Sequence, residues 1–424
     1  MKRTIFHIDV NSAFLSWEAA YRINILGETI DIRNEVAAIG GDVEKRHGII
    51  LAKSIPAKKY HIQTGEPILD AVRKCPSLKI YRPDYDLYDA CSRAFMDLLG
   101  EYTDRIEQYS IDEAYMEVTE ILWKYHDPMN LAMEIKNRIH KELGFTVNIG
   151  ISTNKLLAKM ASDFKKPDRI HTLYPEEVPS KMWPLPVQDL FYAGPATCRK
   201  LAKLEIRTIG ELAMGDPYIL QKHLKMQGLI VWNYAKGIDE SPLIVSPPPN
   251  KGYGNSTTTS FSIETEEQAK SVLLGICESV GARLRKDKVE AKTIGISIRY
   301  QETLKTLSRQ TTLSEPTNCT NILYRETTNL LSRTWDLRAP LRQMGVQAST
   351  IVPEDRDRQL TIFHDAKCDK LRKMDAVVDN IRKRYGTRAI MRSVFLQNQN
   401  IAPICGGISE EKRGVHAISN CSKR

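Results

Sequence analysis

Long apolar runs are missing from this chain of 424 residues. A helix that crosses a membrane needs about 20 consecutive apolar residues, and no such window occurs. At the N-terminus, Asp9 interrupts the apolar stretch too early for the core of a signal peptide. The sequence therefore predicts a soluble, cytoplasmic protein with no membrane partner.

Paired cysteines are missing as well. The cysteines stand singly, and no two have the C-x-x-C spacing of a zinc site or a redox motif. We therefore expect reduced thiols, as in other cytosolic chains of this size. The positions are Cys75, Cys91, Cys198, Cys277, Cys319, Cys368, Cys405 and Cys421.

The excess of charge is moderate: 61 Lys and Arg stand against 52 Asp and Glu, which gives +9. A basic excess suits a polyanionic partner such as nucleic acid, but charge alone does not separate such proteins from other basic proteins. Hydrophobic residues make up 42%, which excludes a wholly disordered chain. The length predicts two to four domains.

Residues 1–170 have a mixed α/β pattern with acidic residues at strand ends. Alternating or β-branched segments predict strands, and apolar residues at helical spacing predict helices. In this interpretation Asp112 and Glu113 form a tight turn between two hairpin strands. Strands are predicted at Thr4–Val10, Val36–Gly40, Gly48–Ala52, Gln108–Ile111, Ala114–Thr119 and Thr146–Ser152, and helices at Ser12–Arg22 and Lys155–Phe164.

The pattern changes twice after residue 170. From 171 to 241, strand patterns vanish, and short helical segments punctuated by glycine predict a small all-helical domain. The stretch 242–252 is rich in proline and predicts a semi-rigid linker. Residues 253–353 have the order strand, helix, strand, strand, helix, strand, which is typical of a compact sheet with two helices on one face.

Residues 354–424 have a weaker pattern. A run of charges at 354–358 predicts a solvated connector. One amphipathic helix follows and ends at Gly386, and beyond Asn398 we expect disorder. The apolar face of that helix is predicted to contain Leu371, Met374, Val378, Ile381 and Tyr385.

Three carboxylates stand where a catalytic site could be built. Asp9 ends a predicted strand, and Asp112 and Glu113 are adjacent at the predicted hairpin. Acidic residues are depleted in strands, and carboxylates that bridge two Mg²⁺ ions are a common device of phosphoryl transfer. Spacing alone also allows a simpler interpretation, a polar turn and a cap at the end of a strand.

Three segments resemble the motifs of the Y family of DNA polymerases, the DinB–UmuC-like translesion enzymes. They are Ile8–Phe14, Tyr109–Tyr115 and Gly150–Pro167, in the order that the family has. The resemblance covers roughly residues 1–350. It implies an α/β (α+β) right-hand polymerase, with a ferredoxin-like palm over 1–170, small fingers inserted at about 20–80, a helical thumb over 171–241 and a β-α-β-β-α-β little finger over 253–353.

The resemblance also implies a reaction and its cofactors. Asp9, Asp112 and Glu113 become the catalytic ligands of two Mg²⁺ ions, and the backbone carbonyl of Val10 would reach the second ion. The implied activity is template-directed, low-fidelity addition of deoxynucleotides to a primer. The implied partners of this monomeric enzyme are primer–template DNA and deoxynucleoside triphosphates. The alternatives are a nucleotidyl cyclase, or a palm protein that binds nucleic acid without polymerase activity.

Several further residues are implied to contact the nucleotide. Phe14, next to Ala13, falls at the steric-gate position of the family, where a ring would collide with a ribose 2′-OH. Without the motif, Phe14 would be interpreted as a core residue. Ser54 and Lys58 belong to a segment that resembles the fingers motif, and Lys166 matches the phosphate-binding lysine of the third motif. The alternative for both lysines is a role in surface solubility.

A short segment in the predicted thumb resembles a helix–hairpin–helix, and its DNA-binding residues would be Gly194, Thr197 and Lys200. Such a turn offers backbone N–H groups to a DNA phosphate. Tyr192 stands where the family has its first hairpin glycine. A plain helical turn is the alternative.

The segment 359–363 resembles the peptide by which bacterial polymerases bind the sliding clamp. Its residues are Gln359, Leu360, Thr361, Ile362 and Phe363. The glutamine would form hydrogen bonds, and the leucine and phenylalanine would fill an apolar cleft on the clamp. The alternative is an edge strand that packs on the preceding domain.

Overall fold

The computed structural model describes residues 3–41, 48–355 and 366–396. Within these ranges the chain divides into two compact units, one on each side of the boundary between Pro247 and Pro248. This boundary falls inside the predicted proline-rich stretch. No helix in the described ranges is long and apolar enough to cross a lipid bilayer.

The strands of the first unit form two sheets. They are β1 (Ile5–Val10), β2 (Ala37–Gly40), β3 (Ile50–Lys53), β4 (Lys79–Tyr81), β5 (Ile106–Gln108), β6 (Glu113–Glu117), β7 (Val147–Ser152) and β8 (Ile170–Thr172). The larger sheet has the order β5-β6-β1-β7-β8 and the smaller one the order β3-β2-β4. In the larger sheet all neighbours are antiparallel except β7 and β8.

The helices of the first unit cover the larger sheet and continue beyond it. They are α1 (Ala13–Asn24), α2 (Ile55–Lys58), α3 (Ile68–Lys74), α4 (Tyr85–Gly100), α5 (Pro128–Arg138), α6 (Lys155–Asp163), α7 (Pro195–Ala202), α8 (Ile209–Met214), α9 (Pro217–Leu224) and α10 (Met226–Ala235). After β8 the chain is helical, as its glycine-punctuated pattern predicts. The apolar side chains of α7 to α10 share one core with those of α6.

Strand β1 is buried on both faces because helices cover both sides of the sheet. Every second residue, from Phe6 to Val10, packs into the main core with α1, α4 and α5. The alternate residues, from Ile5 to Asp9, face α6, since successive side chains of a strand point to opposite faces. Strand β1 thus contributes one set of side chains to the main core and the alternate set to the face of the sheet that α6 covers.

The second unit is built on a four-stranded antiparallel sheet. Its elements are β9 (Gly252–Ile263), α11 (Glu266–Lys286), β10 (Val289–Tyr300), β11 (Thr306–Thr317), α12 (Thr320–Ser332), β12 (Leu341–Pro353) and α13 (Ala366–Tyr385). The sheet has the order β11-β10-β12-β9, and α11 and α12 pack against it to form the core. The predicted order of strands and helices over 253–353 is confirmed. The helix α13 ends before Gly386, whose φ of 95° suits a glycine.

The hairpin before Glu113 differs from the prediction. Strand β5 ends at Gln108, and Glu113 is the first residue of β6 instead of a turn residue. The turn closes earlier than predicted because the N–H groups of Tyr109 and Ser110 both donate to the carbonyl of Glu113, at 3.0 and 3.2 Å. The side chain of Glu113 therefore has the fixed direction of a strand residue.

The first residues of the predicted linker pack against the first unit and form a hydrogen bond with it. The side chain of Leu243 packs on the sheet of the first unit. The N–H of Ile244 donates to Glu107 Oε2 at 2.7 Å. At the other end, Gly252 already belongs to β9. The stretch between these ends is shorter than the composition predicts.

Candidate active site

The three predicted carboxylates lie on neighbouring parts of the larger sheet. Strands β1 and β6 pair so that Asp9 is the register partner of Glu113. The N–H of Val10 donates to the carbonyl of Asp112 at 3.0 Å. Side chains of opposed residues on antiparallel strands share one face, with Cβ atoms about 5 Å apart. The fold therefore brings together carboxylates that lie far apart in the sequence.

A cleft of about 630 Å³ opens at the ends of these strands. This volume lies in the range of small-molecule sites. The predicted site residues that line it are Asp9, Val10, Ala13, Phe14, Lys58 and Asp112. Its polar lining also includes residues that the sequence interpretation missed, namely Ser12, Lys53, His61, Gln63 and Thr64.

A sharp turn after β1 brings Phe14 to the cleft. Ser12 has left-handed dihedral angles, with φ at 48°, immediately before α1. The ring of Phe14 stacks on Tyr88, with centroids 4.6 Å apart and 9° between the planes, and it also lines the cleft. Trp17 is a second neighbour, at 5.9 Å. Core aromatics thus fix a ring that is also part of the cleft wall.

Lys58 and Ser54, which belong to the segment that resembles the fingers motif, have different surroundings. Lys58 lines the cleft. Ser54 is buried at the start of α2, where its hydroxyl accepts from the N–H of Ala57 at 3.1 Å and donates to the carbonyl of Glu35 at 2.6 Å. The structure gives this hydroxyl a capping role, and the predicted nucleotide contact of Ser54 stays a prediction.

Lys166 is ion-paired with Asp9. Its Nζ donates to Asp9 Oδ2 at 2.7 Å and lies 2.8 Å from Asp163 Oδ1. Burial raises the pKa of Asp9 to about 6, while Lys166 acts in the opposite direction. Burial lowers the pKa of Lys166, but the carboxylates of Asp9 and Asp163 outweigh it and raise that pKa above its ordinary value. The ammonium group is therefore charged at neutral pH.

A second lysine, Lys159, holds Glu113. Its Nζ donates to Glu113 Oε1 at 2.5 Å. Ser110 Oγ donates to Asp112 Oδ1 at 2.7 Å and lies 3.4 Å from Glu113 Oε2. Burial, with two nearby lysines, lowers the pKa of His7 well below its usual range, so a neutral ring lies 4.0 Å from Glu113. The sequence interpretation missed the roles of Lys159, Ser110 and His7.

Comparisons with known proteins decide the family. The profile of the impB/mucB/samB family matches residues 8–163, and the profile of the C-terminal domain of that family matches residues 250–362. DNA polymerase IV of Clostridium acetobutylicum is 43% identical over 399 residues, which cover 94% of this chain and 100% of the relative. DNA polymerase IV 1 of Bacillus subtilis is 36% identical, with 94% of each chain covered. This chain belongs to the Y family of DNA polymerases.

The fold of this Y-family polymerase matches a solved structure. A Y-family DNA polymerase chimera has a TM-score of 0.70 at 23% identity, and the match covers 82% of this chain and 99% of the chimera. The predicted right-hand architecture is consistent with that fold. The family also confirms the predicted template-directed, translesion DNA polymerase, and it sets aside the nucleotidyl cyclase and the inactive palm protein.

A Y-family polymerase requires a divalent metal, and the donors of this site suit a hard cation because they are carboxylate oxygens. Across the part of the chain that the structure describes, no group of three or more His, Cys, Asp or Glu side chains is arranged to hold a metal ion. Asp9 and Glu113 instead face the ammonium groups of Lys166 and Lys159. A cation bound here would neutralise the carboxylate charge that these two lysines now balance.

The segment that resembles a helix–hairpin–helix lies at the start of α7. Gly194 is the N-cap residue of that helix, and Lys200 is exposed on it. Tyr192 adopts a left-handed φ of 73°, a conformation that costs a tyrosine more than the glycine of the family. The carbonyl of Tyr192 accepts from Gln227 Nε2 at 3.0 Å. The DNA contacts of Gly194, Thr197 and Lys200 stay predictions.

Proposed function

We propose that this polymerase adds deoxynucleotides to a primer 3′ end at two Mg²⁺ ions, held by the side chains of Asp9, Asp112 and Glu113 and by the carbonyl of Val10. The observation that carries the proposal is the pairing of β1 with β6, which makes Glu113 the register partner of Asp9, a residue that lines the cleft together with Asp112. Bound Mg²⁺ would supply activation of the attacking oxygen and stabilisation of the leaving phosphate.

The cleft suits a nucleoside triphosphate in shape and charge. Lys58 lines it and would neutralise phosphate charge as a point cation. Lys166 is charged and one-third exposed, so it can turn from Asp9 to a phosphate group. Phe14 would lie under the sugar and exclude a ribose 2′-OH by its bulk. Ala13, which also lines the cleft, leaves room beside that ring.

The second unit offers a surface for the primer–template. A groove of about 1010 Å³ runs across all four strands of its sheet. Gly254, Gly295 and Gly345 line the groove, so the backbone is open to a DNA strand, and Lys251 and Arg309 add positive charge. Contacts of this kind go to phosphates and not to base edges, which suits a polymerase that moves along any sequence.

Two further proposals concern partners. The segment Gln359–Phe363 lies outside the described residues, and the proposal that it binds the sliding clamp rests on its sequence alone. We also propose that the polymerase is a monomer, because the cleft and the predicted site residues that line it belong to a single chain.

The proposal for the metal ligands is tested by Asp112→Asn. This change removes a charge and barely alters the volume, so we expect primer extension to fall at least about a hundredfold while DNA binding survives. The assay is single-nucleotide insertion with Mg²⁺, together with a DNA-binding titration. Asp97→Asn, at an exposed position of α4, makes the same chemical change elsewhere and should insert nucleotides at the wild-type rate. Near-normal insertion by Asp112→Asn would remove the assignment.

A further inference from the structure

Two lysines of α6 lie one helical turn apart beneath the same strand pair. Lys155 Nζ lies 2.7 Å from Glu107 Oε2 and 5.0 Å from the centroid of Tyr115. Lys159 Nζ lies 2.5 Å from Glu113 Oε1. Four residues of a helix rise about 6 Å, close to the rise of two residues of a strand, so side chains four apart on α6 meet strand side chains two residues apart. Each lysine therefore meets a carboxylate of the hairpin.

Lys159 is enclosed by contacts on several sides. The residue is 8% exposed, and lysines are almost never buried unless they are paired. Its Nζ lies 3.8 Å from Asp163 Oδ2 and 5.7 Å from the ring centroid of Phe191. Contacts from the sheet, from α6 and from the segment before α7 thus surround the ammonium group. The side chain of Lys166 is more accessible by comparison, at 34% exposed.

We propose that Lys159 is a positioning residue, a built-in counter-ion that orients Glu113 and weakens the binding of divalent cations to the free polymerase. By holding Oε1, it leaves Oε2 on the side of Ser110 and Asp112. This inference rests on the proposed function, because it assumes that Glu113 is a metal ligand.

The charges at the site give the direction of the effect. Asp9, Asp112 and Glu113 supply three carboxylates, and Lys159 and Lys166 balance part of that charge. Loss of the Lys159 ammonium removes a repulsion that acts on any cation beside Glu113. At the effective dielectric of a protein surface, a repulsion over a few ångströms corresponds to at least about tenfold in affinity. Glu113 would at the same time lose its fixed orientation.

The experiment is a titration of the full-length polymerase, free of DNA and nucleotide, with Mn²⁺ alone, followed by electron paramagnetic resonance. For Lys159→Met we expect a Kd for Mn²⁺ at least about tenfold lower than in the wild type. In single-nucleotide insertion at saturating Mg²⁺, kcat should fall at least about tenfold, because Glu113 is misplaced. Lys159→Arg keeps the charge and should keep the Mn²⁺ affinity of the wild type.

The matched control is Lys155→Met. Lys155 is 9% exposed and also paired with a glutamate, but Glu107 is not a proposed metal ligand. Both lysine-to-methionine variants should lose thermal stability, since each removes the ion-pair partner of a largely buried carboxylate, yet only Lys159→Met should bind Mn²⁺ more tightly. A structural role alone would make the two variants behave alike.

The proposal is overturned if Lys159→Met binds Mn²⁺ with the affinity of the wild type. It is also overturned if neither Lys159→Met nor the wild type binds Mn²⁺ measurably. Should Lys159→Met fail to fold, Lys159→Gln, which keeps a hydrogen-bond donor, takes its place. Failure of both neutral variants to fold would make Lys159 a structural residue and overturn the proposal as well. Failure of the proposed function itself would show separately, as normal insertion by Asp112→Asn.

Discussion

The side chain of Phe14 combines a stacking contact with a proposed role in sugar selection. Phe14 stacks on Tyr88 and lines the cleft, so the stacking fixes the position of its ring in the cleft wall. For Phe14→Ala we expect the preference for dCTP over CTP opposite a template guanine to fall at least about tenfold, because exclusion by bulk is lost. The loss of stacking should cost about 1 kcal/mol of stability.

The control for this prediction is Tyr85→Ala. Tyr85 contacts the Phe14 ring edge-on at 6.4 Å but does not line the cleft. Its removal should leave the ratio of dCTP to CTP insertion unchanged. An unchanged ratio in Phe14→Ala itself would place the gate elsewhere and leave Phe14 as a core residue.

Single residues also show where sequence interpretation ends. A family motif, together with the rarity of acids beside strands, predicts Asp9 and Glu113 as site residues, although Glu113 was expected in a turn. Lys159 could not be found in that way, since a lysine in an amphipathic helix normally faces solvent. Only the packing of α6 on the hairpin shows its partner. Ser54 illustrates the reverse case, because its place in a motif does not reveal that its hydroxyl caps α2.

Among the elements, the contact between α6 and β7 depends on one glycine. A Cβ at Gly150 would lie 1.9 Å from the carbonyl oxygen of Ala158 and 2.5 Å from the N of Ser162, both in the backbone of α6. For Gly150→Ala we expect a loss of about 3 kcal/mol or more in the free energy of unfolding, since α6 must move away from the sheet. Urea denaturation gives this value.

The matched change is Gly100→Ala, at the last residue of α4. No atom lies within 4 Å of a Cβ built there, so the alanine should be tolerated or should stabilise by up to about 1 kcal/mol, the difference in helix propensity. Because α6 also positions Lys159, nucleotide insertion should fall in Gly150→Ala and not in Gly100→Ala. Equal stability of the two variants would contradict the close approach of α6.

Elements differ in how far the sequence determines them. The order of the long strands and helices over 253–353 was predicted from the sequence, and the structure has the same order. The three-residue strands β4 and β8 were not predicted, because they exist only through pairing with β2 and β7. Helix α4 had a readable start signal, since Asp84 accepts from the N–H of Leu87 at 3.3 Å, but the sequence interpretation did not use it.

At the scale of the whole molecule, a polymerase that dissociates frequently from DNA becomes more processive when a partner tethers it to the DNA. In the sequence, Gln359–Phe363 follows a run of charged residues and comes long after the residues that line the cleft. Replacement of Gln359, Leu360 and Phe363 together by alanine should abolish stimulation by the cognate sliding clamp and spare insertion on a short primer. The reason is that a tether raises the effective concentration at the primer end without changing the chemistry.

The alternative, an edge strand that packs on the second unit, predicts a different set of results. In that case the triple variant would lose melting temperature and basal extension together, and the response to the clamp would scale with the activity that remains. Melting temperature, basal extension and clamp-stimulated extension on one preparation separate the two. A control with Gln397, Gln399 and Ile401 replaced by alanine removes similar side chains from the C-terminal tail and should respond to the clamp normally. Persistent stimulation in a well-folded triple variant would mean that another segment binds the clamp.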